Sequence, residues 1–274
     1  MKPATSSESC TRLLLLDIGN THCHAGLASP DHLLAQVDIP TGELFSGAAA
    51  RAFDRMSGGT PCGGAVLCSV VPRATRAART LLLEAFGLRP LILTHRTLRG
   101  IGLDYPRPET IGPDRLANAM AARHFFKAPV VVVDFGTAVT FDIVNARGSY
   151  TGGIIAPGLA AMTDYLHEKT ALLPRIKIRD VESPVGKSTE EAMLVGAVHG
   201  YRGLVRGLIT ELRAALGEDS MPVVATGGYA ELMAKGVKEI TAIQPNLTLE
   251  GLRLLWREHH PSTSQPVPSL PTGH

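Results

Sequence analysis

The chain has 274 residues, 45% of them hydrophobic and 5% aromatic, with 27 Lys and Arg against 25 Asp and Glu for a net charge of +2. That apolar share excludes a mostly disordered chain, and so even a charge balance excludes nucleic-acid binding driven by bulk charge. The length suits one large domain or two of roughly 100–150 residues, and the longest apolar runs, Leu13–Leu16 and Val130–Val133, fall far short of a membrane span.

Met1–Arg12 is polar and lacks the apolar core of a signal peptide. Apolar runs of strand length follow at Leu13–Ile18, His22–Ala28 and Leu33–Ile39, separated by Gly19-Asn20 and Pro30-Asp31, which suit hairpin turns. A helix is predicted over Glu43–Met56, a strand over Gly64–Val70, a helix over Arg73–Phe86 between Pro72 and Gly87, and a strand over Leu91–Thr94. Pro113–Phe126 reads as a helix with proline in its first turn. The strand pattern then restarts at Val130–Phe135, Thr140–Asn145 and Ser149–Ile155. Helices are predicted at Leu159–Glu168 and across Ser188–Leu216, the latter opened by the capping-box pattern Ser188-x-x-Glu191. A strand at Met221–Ala225 and helices at Tyr229–Lys235 and Leu247–His259 complete the body, and the proline-rich segment 261–274 reads as a disordered tail.

The order contains an echo. LLLLDIGNT opens one half and VVVDFGTAVT the other, about 117 residues apart. Each is a strand, then Asp-x-Gly, then Thr, then a second strand. A single Asp-x-Gly can be only a turn, but two copies, each opening a three-stranded meander, predict a duplicated α/β fold with a cleft between the copies. In the first copy Asp17 can hold Mg²⁺ through water, Gly19 lets a ligand approach the backbone, and Asn20 and Thr21 offer donors to phosphate oxygens. Asp134, Gly136 and Thr137 are their counterparts. Facing loops of this kind would clamp a polyphosphate and its cation, as phosphoryl transfer requires.

Other motifs carry less. Gly227 and Gly228, in Ala225-Thr226-Gly227-Gly228, suit either a flat surface for adenosine or a flexible turn before a helix. Gly186-Lys187-Ser188-Thr189 is not a Walker A loop, since Val181 stands where the first glycine belongs; it reads as a helix cap, with Thr189 within possible reach of a ligand. His22-Cys23-His24 lacks a second Cys/His pair at zinc spacing. In a strand His22 and His24 share a face while Cys23 points away. Tyr105, then Gly112-Pro113-Asp114-Arg115 at a helix start, leaves open whether Asp114 complements the helix dipole or deprotonates a hydroxyl beside an anion-binding arginine. Cys10, Cys23, Cys62 and Cys68 form no disulfide framework, which favours the reducing cytosol.

Taken in order, DIGNT at Asp17–Thr21, Tyr105 with IGPDR at Ile111–Arg115, VDFGTAVTFD at Val133–Asp142, GGIIAPGL at Gly152–Leu159, TALLP at Thr170–Pro174, GKST at Gly186–Thr189 and ATGG at Ala225–Gly228 resemble the type III pantothenate kinases. These belong to the acetate and sugar kinase/Hsp70/actin superfamily. The resemblance spans Leu13 to about Trp256. It implies two ribonuclease H-like (actin-like ATPase) domains, at 13–112 and 113–260, and ATP-dependent phosphorylation of pantothenate to 4′-phosphopantothenate in the cytoplasm.

Carried over by position, it implies that Asp17, Ile18, Gly19, Asn20, Thr21, His22, Cys23 and His24 form the first phosphate loop, with Asp17 near Mg²⁺. Thr137, with Gly227 and Gly228, would contact ATP. Asp134 would ligate K⁺ or NH₄⁺. Tyr105, Gly112, Pro113, Asp114, Arg115 and Thr189 would bind pantothenate, with Asp114 the general base and Arg115 the carboxylate's partner. The resemblance also implies a homodimer. Pro113 and Arg107 depart from the family's usual residues and bear on the pocket's edge. A non-catalytic accessory protein on the same fold would usually lose one of Asp17, Asp114 and Asp134, and all three are present. A sugar or acetate kinase would lack Tyr105 with the GPDR motif.

Overall fold

The computed structural model describes residues 12–261. In the first half, β1 (Leu13–Ile18), β2 (His22–Ala28) and β3 (Leu33–Pro40) form an antiparallel meander. A 3-10 turn (Thr41–Phe45) and α1 (Ala48–Ser57) lead to β4 (Gly64–Ser69), followed by α2 (Pro72–Phe86) and β5 (Leu91–Ile92). β4 runs parallel to β1 and β5 parallel to β4, giving the order β3-β2-β1-β4-β5.

β6 (Gly102–Leu103) and α3 (Pro113–Phe126) lead into the second half. There β7 (Val130–Phe135), β8 (Ala138–Val144) and β9 (Ser149–Pro157) repeat the meander. After α4 (Leu159–Lys169), α5 (Thr189–Val195) and α6 (Tyr201–Leu216), β10 (Val223–Thr226) pairs parallel to β7. α7 (Ala230–Ala234) precedes β11 (Ala242–Ile243), which is parallel to β10, and α8 (Leu247–His259) comes last. The order β11-β10-β7-β8-β9 is that of the first sheet, with β6 added beside β9. The sequence echo is thus a repeated fold: two ribonuclease H-like α/β sheets.

The two-residue period of the strands sets the layers. Leu14 and Leu16 face α1 and α2, while Leu13 and Leu15 face inward. Val131 and Val133 likewise face α6 and α7, while Val130 and Val132 face inward. Strands buried on both faces read as unbroken apolar runs, which is why β1 and β7 stand out in the sequence. α3 and α8 pack on each other and share one core with the inward residues of both sheets. Each Leu or Val fully buried there contributes about 1.5–3 kcal/mol.

Several expected elements shift at their ends, and three of the differences have a clear local cause. The helix expected from Glu43 starts at Ala48, because Gly47 takes a left-handed φ of 72° that ends the preceding turn. The strand expected over 91–94 pairs only at Leu91–Ile92; the Thr94 N–H turns instead to the Thr97 hydroxyl at 2.8 Å. Ser188 caps a helix as expected, accepting from the Glu191 N–H at 3.2 Å, but a π turn at Gly196–Gly200 interrupts the run before α6. β6 and β11, of two residues each, are too short to leave a periodic signal. Apart from Pro261, the tail expectation lies outside the described residues, as does most of Met1–Arg12. Among the described residues no helix is long and apolar enough to cross a membrane.

Candidate active site

Asp17 follows Leu15 by two residues and so turns to the inward face, and Asp134 follows Val132 in the same way. Both lie near the carboxyl ends of their sheets' central strands. α3 enters between the sheets, and Asp114 sits in its first turn.

The loops after the two strands are braced from equivalent positions. After β1, the Gly19 N–H bonds the His22 carbonyl at 2.9 Å. Thr41, just past β3, donates its hydroxyl to the Gly19 carbonyl at 2.8 Å and its N–H to the Thr21 carbonyl at 2.9 Å. After β7, the Gly136 N–H bonds the Ala138 carbonyl at 3.1 Å, and Gly158, just past β9, donates its N–H to the Thr137 carbonyl at 3.2 Å. A Cβ on Gly158 would overlap that carbonyl. Asn20, Thr21, Gly136 and Thr137 are exposed. The third glycine loop joins the second: Thr226 pairs with Asp134, and a Cβ on Gly227 (φ 87°) would sit 2.5 Å from Asp134 Oδ1. Gly227 therefore needs both its backbone freedom and its missing side chain.

The charge of Asp114 reaches both strand carboxylates. Asp17 Oδ1 accepts from the Cys68 thiol at 3.2 Å. Burial, then the Asp114 charge, push the Asp17 pKa up to about 7, with Asp134 adding to the rise. Asp134 Oδ2 accepts from Asn118 Nδ2 of α3 at 3.0 Å, and Asn118 Oδ1 accepts from the Thr248 hydroxyl of α8 at 2.8 Å. Burial pushes Asp134 up to about 6, against the pull of Asn118 and with help from Asp114. Asp114 Oδ1 accepts the Arg115 N–H at 2.9 Å, and the bare Gly112 allows this fold-back, since a Cβ there would sit 2.5 Å from that oxygen. Burial holds Asp114 above the usual carboxylate range, opposed by the Arg115 N–H and guanidinium.

The donor chemistry fits a hard cation. Asp17 and Asp134 each have one oxygen tied to a protein donor and one without, and both carry a burial penalty that a cation would relieve. Among the described residues no three His, Cys, Asp or Glu side chains form a ready-made cage. A cation here would complete its shell with water or phosphate oxygens.

Beyond Asp114 lies a second polar group. Arg115 Nε donates to Asp142 Oδ1 at 2.6 Å and Nη2 to the Phe141 carbonyl at 2.9 Å. Tyr150 donates its hydroxyl to Asp142 Oδ1 at 3.3 Å, and the Arg115 guanidinium lies 5.9 Å from the Tyr150 ring centroid. The Tyr105 ring lies 6.1 Å from that of Tyr150 and packs beside Gly152. Burial pushes the Asp142 carboxyl up while Arg115 pulls it down, and Asp142 holds Arg115 above its ordinary value. With a guanidinium at 2.6 Å, the ionised pair is the state the geometry favours.

The residues singled out in the sequence are placed as follows. The Ile18 and Cys23 side chains are fully buried in the outer core, so these positions can offer a nucleotide only their backbone. His22 and His24 share the exposed face as expected, with His24 Nδ1 2.7 Å from Asp38 Oδ1. Pro113 is the first residue of α3. Thr189 stands exposed at the start of α5 and Gly228 is exposed after Gly227, and among the described residues no hydrogen bond ties Thr189 to the Asp114 group. Asp142, Asn118, Thr41 and Gly158 were not anticipated. Asp142 closes the second echo at even spacing from Asp134 and Thr140, and Pro40-Thr41 and Pro157-Gly158 stand 117 residues apart like the two aspartates.

The sequence profile of the type III pantothenate kinases matches residues 13–211. The chain is 44% identical to a type III pantothenate kinase from Akkermansia muciniphila, over 88% of this chain and 96% of that one. It is 43% identical to one from Methylacidiphilum infernorum, over 89% and 87%. In three dimensions it resembles the crystal structure of a conserved, proposed Baf family transcriptional activator from Campylobacter jejuni. That match has a TM-score of 0.59 at 19% identity and covers 90% of this chain and 98% of that one, a likeness of fold.

Proposed function

The chain belongs to the type III pantothenate kinase family, and we propose that Asp17, Asp114 and Asp134 divide the work of its reaction. That reaction is the ATP-dependent phosphorylation of pantothenate to 4′-phosphopantothenate, the first step of coenzyme A biosynthesis. Asp114 is the general base. The substrate's primary hydroxyl oxygen attacks the γ-phosphorus, its proton passes to the Asp114 carboxylate, and the bond from γ-phosphorus to the bridging oxygen breaks to release ADP. Burial holds the Asp114 carboxyl above its usual range, which makes it a stronger base than an ordinary aspartate. The observation that carries this reading is the placement of Asp17 and Asp134 near the carboxyl ends of two equivalent strands, with Asp114 in the first turn of α3 close enough for its charge to raise both.

The exposed Asn20, Thr21 and Thr137 offer donors to the phosphates, Gly136 lets them approach the backbone, and the Gly227-Gly228 turn lies under the adenosine. Asp17 would hold Mg²⁺ through water and Asp134 a monovalent cation, K⁺ or NH₄⁺; bound there, such ions neutralise phosphate charge. Tyr105, Gly112 and Arg115 bind pantothenate, with Arg115 facing its carboxylate. Ile155, Tyr165, Leu172 and Val185, all more than 60% exposed, support a homodimer through this part of the second half. Cys23, Cys62 and Cys68 are free thiols, which supports a cytoplasmic setting.

The test is formation of 4′-phosphopantothenate by purified protein with ATP, Mg²⁺ and K⁺. Absence of turnover, or Asp114→Asn turning over at the wild-type rate, would refute the reading. Sedimentation velocity tests the dimer, and a monomer at micromolar concentration would reject it.

A further inference from the structure

Arg115 is held from behind by more groups than packing alone needs. Asp142 is completely buried on the inward face of β8, where its register partner is Val132. Besides Arg115 Nε, it accepts from the Tyr150 hydroxyl at 3.3 Å, and its second oxygen lies 3.5 Å from the Thr140 hydroxyl. The Phe141 carbonyl takes Arg115 Nη2. Gly153 leaves space for the same group, since a Cβ there would sit 2.5 Å from Nη2. The remaining nitrogen, Nη1, makes no hydrogen bond within the described protein and is not among its buried unpaired polar atoms, so that edge of the guanidinium meets solvent.

A buried ion pair is a poor source of stability, because desolvation offsets most of the attraction and well-packed apolar residues often do as well. Its gain is geometric. A guanidinium gripped along one edge has lost its rotamer freedom before any ligand arrives, and its other edge keeps a planar pair of donors that matches a carboxylate. We propose that Asp142 is a positioning residue for substrate selection: it fixes Arg115 so that the free edge of the guanidinium receives the carboxylate of pantothenate. This rests on the reading of Arg115 as the carboxylate's partner.

The test measures kcat and both KM values for the full chain, Asp142→Asn and Arg115→Ala, with pantothenate and with its uncharged carboxamide. Asp142→Asn is expected to raise the KM for pantothenate roughly 10–100-fold, as for other residues that orient a binding group, with little change in the KM for ATP. It should also narrow the preference for pantothenate over the carboxamide, which loss of packing alone would not do. If Arg115→Ala loses the preference and a folded Asp142→Asn keeps it, the proposal is overturned. If Arg115→Ala also keeps it, the reading of Arg115 itself has failed. Should Asp142→Asn not fold, Tyr150→Phe decides: a rise in the pantothenate KM alone supports the proposal, and an unchanged KM overturns it.

Discussion

In the first half Asp17 leans on a thiol from the neighbouring parallel strand, Cys68 of β4, whereas in the second Asp134 leans on an amide from a helix, Asn118 of α3. Two further equivalent positions diverge. Opposite Leu15 on β2 stands Gly26, where a Cβ would press on Leu33 and Leu249; opposite Val132 on β8 stands Asp142. Thr41 braces the loop after β1 with a side-chain hydroxyl, while Gly158 braces the loop after β7 with its backbone alone. Duplication kept the strand order and the terminal aspartate but let the inward faces separate. One sheet packs α8 through apolar contact, and the other accommodates Arg115 at the start of α3 through a buried ion pair. Charge therefore gathers on the side that carries Asp114.

The comparison can be broken at several points. The largest effect is expected for Asp114→Asn, which should lower kcat by about 10²–10⁴-fold with little loss of stability, read by a coupled assay beside a melting curve. Next, Gly26→Asp puts the second half's carboxylate into the first, where no arginine meets it. Destabilisation of about 3–5 kcal/mol in a urea titration is expected, and a neutral outcome would show the two faces to be interchangeable. Asn118→Ala removes the neutral amide from Asp134, with an expected loss of about 1.5–3 kcal/mol in the same titration.

The pH dependence sharpens the contrast between the aspartates. Their unfolded forms lose protons near the ordinary aspartate value of 3.8, while the folded chain holds them to about 7 at Asp17 and about 6 at Asp134. A raised folded pKa gives stability that is present below the unfolded value and is lost as pH rises through the folded one. The ligand-free melting temperature should therefore fall between about pH 4 and pH 7. Asp17→Asn should flatten that fall more than Asp134→Asn. The smallest effect is expected for Thr41→Val, which loses one neutral hydrogen bond worth about 0.5–1.5 kcal/mol and should raise the KM for ATP without moving that for pantothenate.

Much of this was legible in the chain. Runs such as Leu13–Leu16 and Val130–Val133 announce strands buried on both faces, and the repeated Asp-x-Gly marks their ends. The expected helix over 43–56 was misjudged because a single glycine, Gly47, reset the backbone without disturbing the apolar pattern. Asn118 reads as one more residue of a helix until α3 is docked against β7.

The chain alone carries the repeated succession of strands and marks Asp17 and Asp134 at equivalent strand ends, because strand periodicity and turn chemistry are local. Folding alone reveals that Asp142 grips Arg115, that Gly227 presses on Asp134 and that the Cys68 thiol donates to Asp17. Those pairs join residues far apart in the chain, and an ion pair or a close backbone approach leaves no periodic trace. It exists only where packing brings the partners together and burial makes leaving them apart costly.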